Sequence, residues 1–361
     1  MKFVYLILTI LFALASADIV SLGAGALAVG SLLGSYYNLP KWTWCKVYEC
    51  CDAPHVEFNP KRLKHDLESK VFGQHLVEDA VLNAMKGHFQ IGPPKSALAL
   101  SFHGYTGTGK NLVADIIANN TFKLGTKSAY FTRFVSTADF PDKSRIQEYI
   151  IRVQEKIQEK ARQCKYAMFV FDEIDKMPSK FLDAVKPFLE GYDSINGIDF
   201  RNTVFIFLSN SGGKAIIDVT QQHNLQAKAR EALTAKDFER ILIEHAFRGD
   251  DSGEAGSGGG LQSSNLITNQ MLGHYIAFLP LEMKHVHRCV QAELIRLGRA
   301  DLTNDEEFIQ RVLKQLQWFP EHKLTYSSSG CKRVAVKTST ELGRLRKEIP
   351  GFSWIDGEGE L

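Results

Sequence analysis

The sequence predicts an α/β fold in which helices flank a parallel sheet, followed by a smaller helical domain. Short apolar runs typical of buried strands alternate with helical patterns through the middle of the chain, at residues 97–103, 167–171 and 203–208. Because parallel strands need a crossover, and the crossover is usually a helix, this alternation favours parallel pairing. A glycine-rich turn directly follows the first run, which is the context of a phosphate-binding loop.

The glycine-rich turn is the strongest functional signal in the chain. It consists of Gly104, Tyr105, Thr106, Gly107, Thr108, Gly109, Lys110 and Asn111. A G-x-x-x-x-G-K run wraps backbone N–H groups around nucleotide phosphates, and its lysine neutralises the β/γ charge. Asn111 stands where Ser or Thr usually holds Mg²⁺, and its amide oxygen can face the metal directly or through water. The alternative is an ordinary turn, but residues 112–117 continue at helical spacing, as the motif requires.

The two later strands end in residues that suit the same chemistry. Asp172 and Glu173 follow the second run, where an aspartate would hold Mg²⁺ and a glutamate would polarise water. Asn210 follows the third run and would orient the attacking water. Taken singly, these residues are more often a helix cap and a turn residue. Their order on successive strand ends indicates a P-loop ATPase that uses ATP and Mg²⁺.

The N-terminal 60 residues predict entry into the secretory pathway. An apolar core at residues 3–15 and the small residues 15–17 indicate a signal peptide over residues 1–17. Residues 18–60 are predicted to be an apolar, membrane-associating segment and a cysteine-containing linker. The apolar stretch 19–34 has 16 residues, and a span needs about 20. We therefore expect monotopic or hairpin association rather than a crossing, with a buried N-terminal segment as the alternative.

Cysteine use and composition agree with that compartment. Six cysteines are an even number, which suits disulfides, but 15 pairings are possible and a zinc site is the weaker alternative. Asn119 begins an N-x-T glycosylation sequon. The net charge of +2 gives no basic field, so nucleic acid is not an expected partner.

With these motifs in place, the chain resembles the torsins, the endoplasmic-reticulum branch of the AAA+ ATPases related to Clp-type unfoldases. The resemblance rests on the sequences GYTGTGKN at 104–111, FVFDEIDKM at 169–177, DAVKPFLE at 183–190 and FRNTVFIFLSNSGG at 200–213. The run VFGQHLV at 71–77 and the spacing of Cys45, Cys50 and Cys51 fit as well. The resemblance implies an AAA+ large domain over residues 61–278 and a small domain over residues 279–361.

The resemblance also assigns roles to individual residues. Lys110 would bind phosphate, Asp172 would support Mg²⁺, Glu173 would activate water and Asn210 would be sensor 1. Residues 330–332, GCK, correspond to the torsin sensor 2 motif, in which Lys332 reaches toward the γ-phosphate. If Cys331 pairs with Cys289, the redox state could shift Lys332 and alter the nucleotide response. A purely structural disulfide is the alternative.

One expected residue is missing. Clp-type proteins carry an Asn-Arg pair before the strand that leads to F-x-P-L, and the arginine enters the neighbouring ATP site. Here the corresponding pair is Gln270-Met271. An arginine finger contributes about 10³–10⁵ in rate in other nucleotide hydrolases. We therefore expect weak hydrolysis by the isolated protein.

By the same resemblance, the arginine would come from a partner. The expected activator is the luminal domain of a transmembrane protein of the endoplasmic reticulum or nuclear envelope, and a homo-oligomer is expected. Two functions remain open. One is a chaperone-like ATPase that remodels proteins or membranes. The other is a homo-oligomeric membrane scaffold whose assembly is only reset by hydrolysis.

Overall fold

A computed structural model describes residues 45–177, 181–248, 272–321 and 323–348. The predicted signal peptide, the apolar segment 19–34 and the pair Gln270-Met271 lie outside these residues. Within them, no helix has both the length and the apolar character needed to cross a bilayer. Among the described residues, 45–50 and those from Cys51 onward belong to separate compact units, and the site lies in the second.

The described chain alternates strands and helices. The strands are β1 (Leu98–Gly104), β2 (Phe131–Val135), β3 (Met168–Asp172), β4 (Val204–Ser209), β5 (His274–Phe278), β6 (Trp318–Phe319) and β7 (Tyr326–Ser327). The helices are α1 (Pro60–Lys70), α2 (His75–Gln90), α3 (Lys110–Asn119), α4 (Ser136–Asp139), α5 (Ile146–Gln163), α6 (Lys186–Leu189), α7 (Gly213–Leu225), α8 (Lys236–Arg248), α9 (Met283–Arg296), α10 (Glu306–Lys314) and α11 (Val334–Glu348). Short 3-10 turns include Ile174–Lys176.

Five strands form one parallel sheet in the order β2-β3-β4-β1-β5. The predicted parallel α/β architecture is thereby confirmed. Leu98 pairs with Val204 and His103 with Ser209 in the β1–β4 ladder, while Met168 pairs with Val204 in the β3–β4 ladder. This register brings the carboxyl ends of the three central strands to one edge of the sheet.

Both faces of the sheet are covered, so the strands are apolar on both sides. Side chains alternate between two clusters, as the period of two in a strand requires. Leu100, Phe102, Val170 and Ile206 pack in the cluster under α2 and α3, whereas Phe169, Phe171, Phe205 and Phe207 pack in the cluster under α5. On the α5 side, Phe169 stacks on Phe205 and Phe171 on Phe207, with ring centroids 5.1 and 5.4 Å apart.

The C-terminal region has a core of its own, built by α9, α10 and α11. Val286, Val290, Phe308, Val312 and Leu342 are buried there. The region is not wholly helical, because β6 and β7 form an antiparallel pair with Trp318 opposite Ser327. This short hairpin was not predicted, since two-residue strands leave no periodic pattern in a sequence.

All six cysteines form disulfides, namely Cys45–Cys50, Cys51–Cys164 and Cys289–Cys331. Because every cysteine is in a disulfide, no thiol is available to bind zinc, and the structure does not support the weaker zinc alternative. Residues 51–59, predicted above to belong to a linker, pack instead on the sheet domain. Val56 is buried in its core and bridges to Phe122.

A buried histidine fixes the carboxyl end of β1 to the loop after β4. His103 is fully buried, its Nδ1 lies 3.2 Å from the Ser211 carbonyl oxygen, and its Nε2 lies 2.7 Å from the Ser101 hydroxyl. A carbonyl can only accept, so Nδ1 carries the proton and Nε2 accepts from Ser101. Burial lowers the pKa of His103 to about 4, although the Ser211 carbonyl opposes the shift. The imidazole is therefore neutral at physiological pH.

This histidine predicts an acid-sensitive stability. The folded protein keeps His103 neutral down to about pH 4, whereas the unfolded chain protonates it below about pH 6.5. The contribution of neutral His103 to the free energy of unfolding is complete above pH 6.5 and is lost as the pH falls toward 4. We expect His103→Asn to be destabilised at pH 7.5 but to lose about 2–3 kcal/mol less than the wild type on acidification to pH 4.5. Urea unfolding at both pH values measures these free energies, and His65→Asn, a change at an exposed histidine, is the control. Equal losses of unfolding free energy in the wild type, His103→Asn and His65→Asn would refute the prediction.

The disulfides predict a graded effect on stability. Cys51–Cys164 closes a separation of 113 residues and Cys45–Cys50 one of 5. The entropy of the unfolded chain rises more when the longer loop is opened. Cys51→Ser/Cys164→Ser should cost about 5 kcal/mol of unfolding free energy and Cys45→Ser/Cys50→Ser about 2. Guanidinium unfolding of both variants measures the difference, and equal losses would contradict it.

Candidate nucleotide-binding site

The turn between β1 and α3 has the backbone of a phosphate-binding loop. Gly107 has φ +75° and Gly109 φ +107°, in the left-handed region that side chains avoid. Gly109 is the N-cap residue of α3, so the N-terminal end of this ten-residue helix opens on the loop. Free N–H groups and the helix dipole make that end attractive to an anion.

Lys110 lies in the middle of the site. Its Nζ donates to the carbonyl oxygens of Gly104 at 2.5 Å and Tyr105 at 3.0 Å, and to Asn210 Oδ1 at 3.0 Å. Burial lowers the pKa of Lys110 to about 8, with repulsion from Lys332 in the same direction and attraction to Asp175 and Asp172 opposing it. The structure thus brings Lys110, the first residue of α3, into direct contact with Asn210, which follows β4.

Asp172 and Asn111 face each other across the start of α3. Asn111 Nδ2 donates to Asp172 Oδ2 at 3.0 Å, and the Glu173 N–H donates to Asp172 Oδ1 at 2.9 Å. Carboxylate and amide oxygens are the ligands that Mg²⁺ prefers, usually with several waters and substrate phosphates. The donor set therefore fits Mg²⁺, with Asp172 and Asn111 as the residues that would hold it.

Glu173 has an unusual backbone and two side-chain partners. Its φ of +57° is uncommon for a residue other than glycine. Its Oε1 lies 2.6 Å from Lys176 Nζ, and its Oε2 accepts from Thr137 Oγ1 at 3.2 Å. Neither partner was predicted, because the Thr137 contact is tertiary and a single lysine three residues away has no pattern that names its partner.

Asn210 is held by Asp175. Its N–H donates to Asp175 Oδ1 at 2.9 Å, and its Nδ2 lies 3.3 Å from Oδ2. With Nδ2 held, Oδ1 is turned toward Lys110. Asp175 lies in the DEIDK run noted in the sequence, but that run gave no reason to pair it with Asn210.

The loop before α11 packs directly on the phosphate-binding loop. The Cys331 N–H donates to the Gly107 carbonyl at 3.0 Å. A Cβ on Gly107 would lie 2.0 Å from the Ser329 carbonyl oxygen, and one on Gly330 would lie 2.2 Å from the Gly107 oxygen. Two glycines therefore permit a backbone contact between the predicted sensor 2 motif and the P-loop. Lys332 itself is exposed.

Gln74 ties the same two regions together from the other side. Its Nε2 donates to the carbonyls of Thr108 at 3.1 Å and Leu279 at 2.9 Å, and its Oε1 accepts from the Leu279 N–H at 2.8 Å. The side chain is buried. The sequence marked the surrounding run VFGQHLV but not this role.

The remaining predicted residues lie away from this cluster or at its margin. Asn119 is exposed at the end of α3, while Thr121 of its sequon is buried and donates to the Ile117 carbonyl. Cys289 lies on α9 and reaches the cluster only through its disulfide to Cys331.

Comparisons with known proteins identify the family to which this chain is similar. Residues 45–171 match the Torsin family and residues 281–339 match the Torsin-1A C-terminal domain. A Torsin-like protein of Caenorhabditis elegans is 43% identical, with 90% of this chain and 88% of that protein covered. A Torsin-like protein of Drosophila melanogaster is 32% identical, with 90% and 93% covered, and Torsin-3A of Rattus norvegicus is 33% identical, with 85% and 78% covered.

Solved structures extend the likeness to the fold. The S. cerevisiae Hsp104–ADP complex superposes with a TM-score of 0.54 at 18% identity, covering 80% of this chain and 49% of that one. The chain thus spans about half the length of Hsp104. At that identity the likeness shows the AAA+ fold alone. Together with the relatives above, these matches show that the chain belongs to the torsin family of AAA+ ATPases.

Proposed function

We propose that this protein binds and hydrolyses ATP in the lumen of the endoplasmic reticulum and nuclear envelope, slowly by itself and faster with a partner. The observation that carries the proposal is the convergence of Lys110, Asp172, Glu173 and Asn210 at one edge of the sheet. Lys110 and Asn210 are in direct contact, and Asn111 joins the P-loop to Asp172. Such a cluster can bind a triphosphate and activate water beside it.

Each side chain would have a separate task in this reaction. Lys110 and the loop N–H groups would hold the β- and γ-phosphates. Asp172 and Asn111 would hold Mg²⁺, which supplies charge neutralisation to the phosphates when bound. Glu173 would accept a proton from the attacking water, and Asn210 would orient that water. Lys332 would approach the γ-phosphate from the C-terminal region. Its positive charge already contributes to lowering the pKa of Lys110.

Activation in trans is the part of the proposal that concerns a partner. The sequence has Gln270-Met271 where Clp-type proteins have the Asn-Arg pair, so an arginine would have to come from another molecule. We propose the luminal domain of a transmembrane protein as that molecule. We also propose that the protein forms a homo-oligomer and associates with the membrane through residues 19–34.

The work done with ATP is proposed to be chaperone-like remodelling of proteins or membranes. A second Hsp104 structure, with ATPγS and FITC casein, superposes with a TM-score of 0.55 at 17% identity. That complex holds a protein substrate, which favours remodelling for a chain of the same fold. The alternative, a nucleotide-dependent membrane scaffold, would keep its membrane activity when hydrolysis is blocked.

Hydrolysis provides the direct test. We expect near-zero steady-state turnover by the oxidised protein from Lys41 onward, and a rise of about 10³-fold or more with an activator domain, abolished by Arg→Ala in that domain. Glu173→Gln should retain ATP binding and lose at least about 100-fold in rate, because the general base is removed. Lys110→Ala should lose ATP binding itself. Robust turnover without a partner would overturn the trans-activation proposal.

The Cys289–Cys331 disulfide offers a second test at the same site. We propose that this disulfide holds the loop before α11, which contains Gly330, against Gly107. Reduction of the disulfide would then weaken nucleotide binding. The expected effect is a loss of about 5-fold or more in ADP affinity on reduction of the wild type. Cys289→Ser should already bind weakly and should not respond further to reductant. Cys45→Ser/Cys50→Ser is the control and should respond like the wild type. If reduction leaves the affinity unchanged, the disulfide is only structural.

A further inference from the structure

We propose that a cavity between the sheet domain and the C-terminal region is a docking site for the acidic residues 349–361 of this same chain. The segment lies outside the described residues, and its sequence is IPGFSWIDGEGEL. The inference goes beyond the proposed ATP hydrolysis and does not depend on it, because none of the residues proposed to bind nucleotide lines this cavity.

Four segments of the chain enclose the cavity, which has a volume of about 610 Å³. The end of α7 and the 3-10 turn Arg230–Ala232 come from the sheet domain. The N-terminus of α9 and the loop that leads to β7 come from the C-terminal region. Cavities of this size accept several groups of a ligand. An occupant would therefore contact both regions and hold them together.

The charge of the lining favours an anionic occupant. Four of the charged side chains are cationic and two are acidic, which gives a net charge of +2 with His223 counted as neutral; they are Lys228, Arg230, Lys284, Lys323, Glu231 and Glu282. The neighbouring His285 responds to this positive charge. Burial lowers the pKa of His285 to about 3, and repulsion from nearby cations, first among them Arg230 and Lys284, acts in the same direction.

Arg230 fixes one of these charges in the wall. Its side chain is 6% exposed, Nη2 donates to the Gly73 carbonyl at 2.8 Å, and Nη1 donates to Glu282 Oε1 at 3.3 Å. Lys284 Nζ lies 3.3 Å from the other oxygen of Glu282, so one carboxylate serves two cations. Arg230 Nε is buried and has no partner among the described residues. A further carboxylate would meet incompletely compensated positive charge in a partly buried place, where attraction is stronger than in water.

Residues 349–361 supply carboxylates of this kind. Asp356, Glu358 and Glu360 are separated by single glycines, and the segment contains no lysine or arginine. The segment therefore carries a net charge of −3, opposite in sign to the lining. Complementary charge of this kind selects a partner and fixes its position.

Apolar residues of the segment also have a counterpart in the cavity. Trp354 and Ile355 directly precede the acidic run. Met283 and Leu324 line the cavity and are 40% and 50% exposed. Burial of these side chains against one another would add a hydrophobic contribution, which matters because exposed ion pairs contribute little by themselves.

The segment is long enough to reach the cavity. It follows Glu348, the last residue of α11, and its 13 residues span about 45 Å when extended. Helix α11 has 15 residues and is therefore about 22 Å long. Its first residue, Val334, comes eight residues after Tyr326 of the cavity wall, and residues 328–333 between them are in turns. A segment that returns along α11 can thus arrive at the cavity.

Cross-linking of the nucleotide-free full chain in detergent tests the placement. Met283→Cys/Ile355→Cys introduces the only free thiols, because all native cysteines form disulfides. A short bis-maleimide reagent should join the two within one chain at least about 10-fold faster than it joins Ile151→Cys/Ile355→Cys, since docking raises the effective concentration of the thiols. Ile151 is an exposed residue of α5 outside the cavity. Mass spectrometry identifies the joined peptides.

Charge reversal in the cross-linking protein tests the cause of docking. Lys228→Glu/Lys323→Glu should slow the cross-link about 10-fold, the combined effect of several exposed ion pairs. Adding Asp356→Lys/Glu358→Lys should restore the rate, because the charges match again. Lys61→Glu/Lys123→Glu changes two exposed lysines outside the cavity and should have no effect.

A synthetic peptide with the sequence of residues 349–361 should compete with the cross-link, and its Asp356→Asn/Glu358→Gln/Glu360→Gln form should not. Equal rates from Met283 and Ile151, or no response to Lys228→Glu/Lys323→Glu, would overturn the inference. Cross-links formed only between chains would also overturn it, because the occupant would then be a second copy. No nucleotide is present, so these outcomes are independent of whether the protein hydrolyses ATP.

Discussion

The register of the central strands is the constraint on which the site depends. Because β1, β4 and β3 are parallel and hydrogen-bonded in consecutive order, Gly104, Asn210 and Asp172 emerge at one edge of the sheet. Phenylalanine ladders on one face and mixed aliphatic and aromatic packing on the other hold that register. A slip by one residue would turn each apolar side chain to the opposite face. The packing that stabilises the sheet therefore also fixes the distances among the residues proposed to bind phosphate and to act on water.

A second dependence runs between the sheet domain and the C-terminal helices. Gln74 joins Thr108 to Leu279, and the Cys331 N–H joins the loop before α11 to Gly107. Both contacts end on backbone atoms of the phosphate-binding loop, so a movement of the C-terminal region would act on the loop directly. Only glycine at positions 107 and 330 allows these two backbone segments to approach this closely. The coupling between the C-terminal region and the phosphate-binding loop needs no charged side chain, because backbone atoms of the two regions lie at hydrogen-bonding distance.

Sequence reasoning identified the parts of the site that have a pattern of their own. The apolar runs, the GYTGTGKN loop and the acidic pair after β3 each occupy a short stretch, and local physics explains each one. Thr137, Asp175 and Lys176 could not be assigned in that way, because an isolated threonine or lysine has no pattern that names its partner. The hairpin β6–β7 and the Cys51–Cys164 disulfide were also beyond reach, since they depend on how distant segments meet. The resemblance to torsins suggested the role proposed for Lys332, which spacing alone would not have suggested.

The charges of the site satisfy one another within the protein. Lys110 donates to two loop carbonyls and to Asn210, Asp172 accepts from Asn111 and from the Glu173 N–H, and Glu173 is paired with Lys176 and Thr137. A buried lysine without such partners would be costly, so these contacts stabilise the folded chain. The same contacts must be exchanged for contacts with phosphate and water before hydrolysis can occur. The free energy of the contacts that are lost in this exchange therefore opposes nucleotide binding, and new contacts with phosphate offset it.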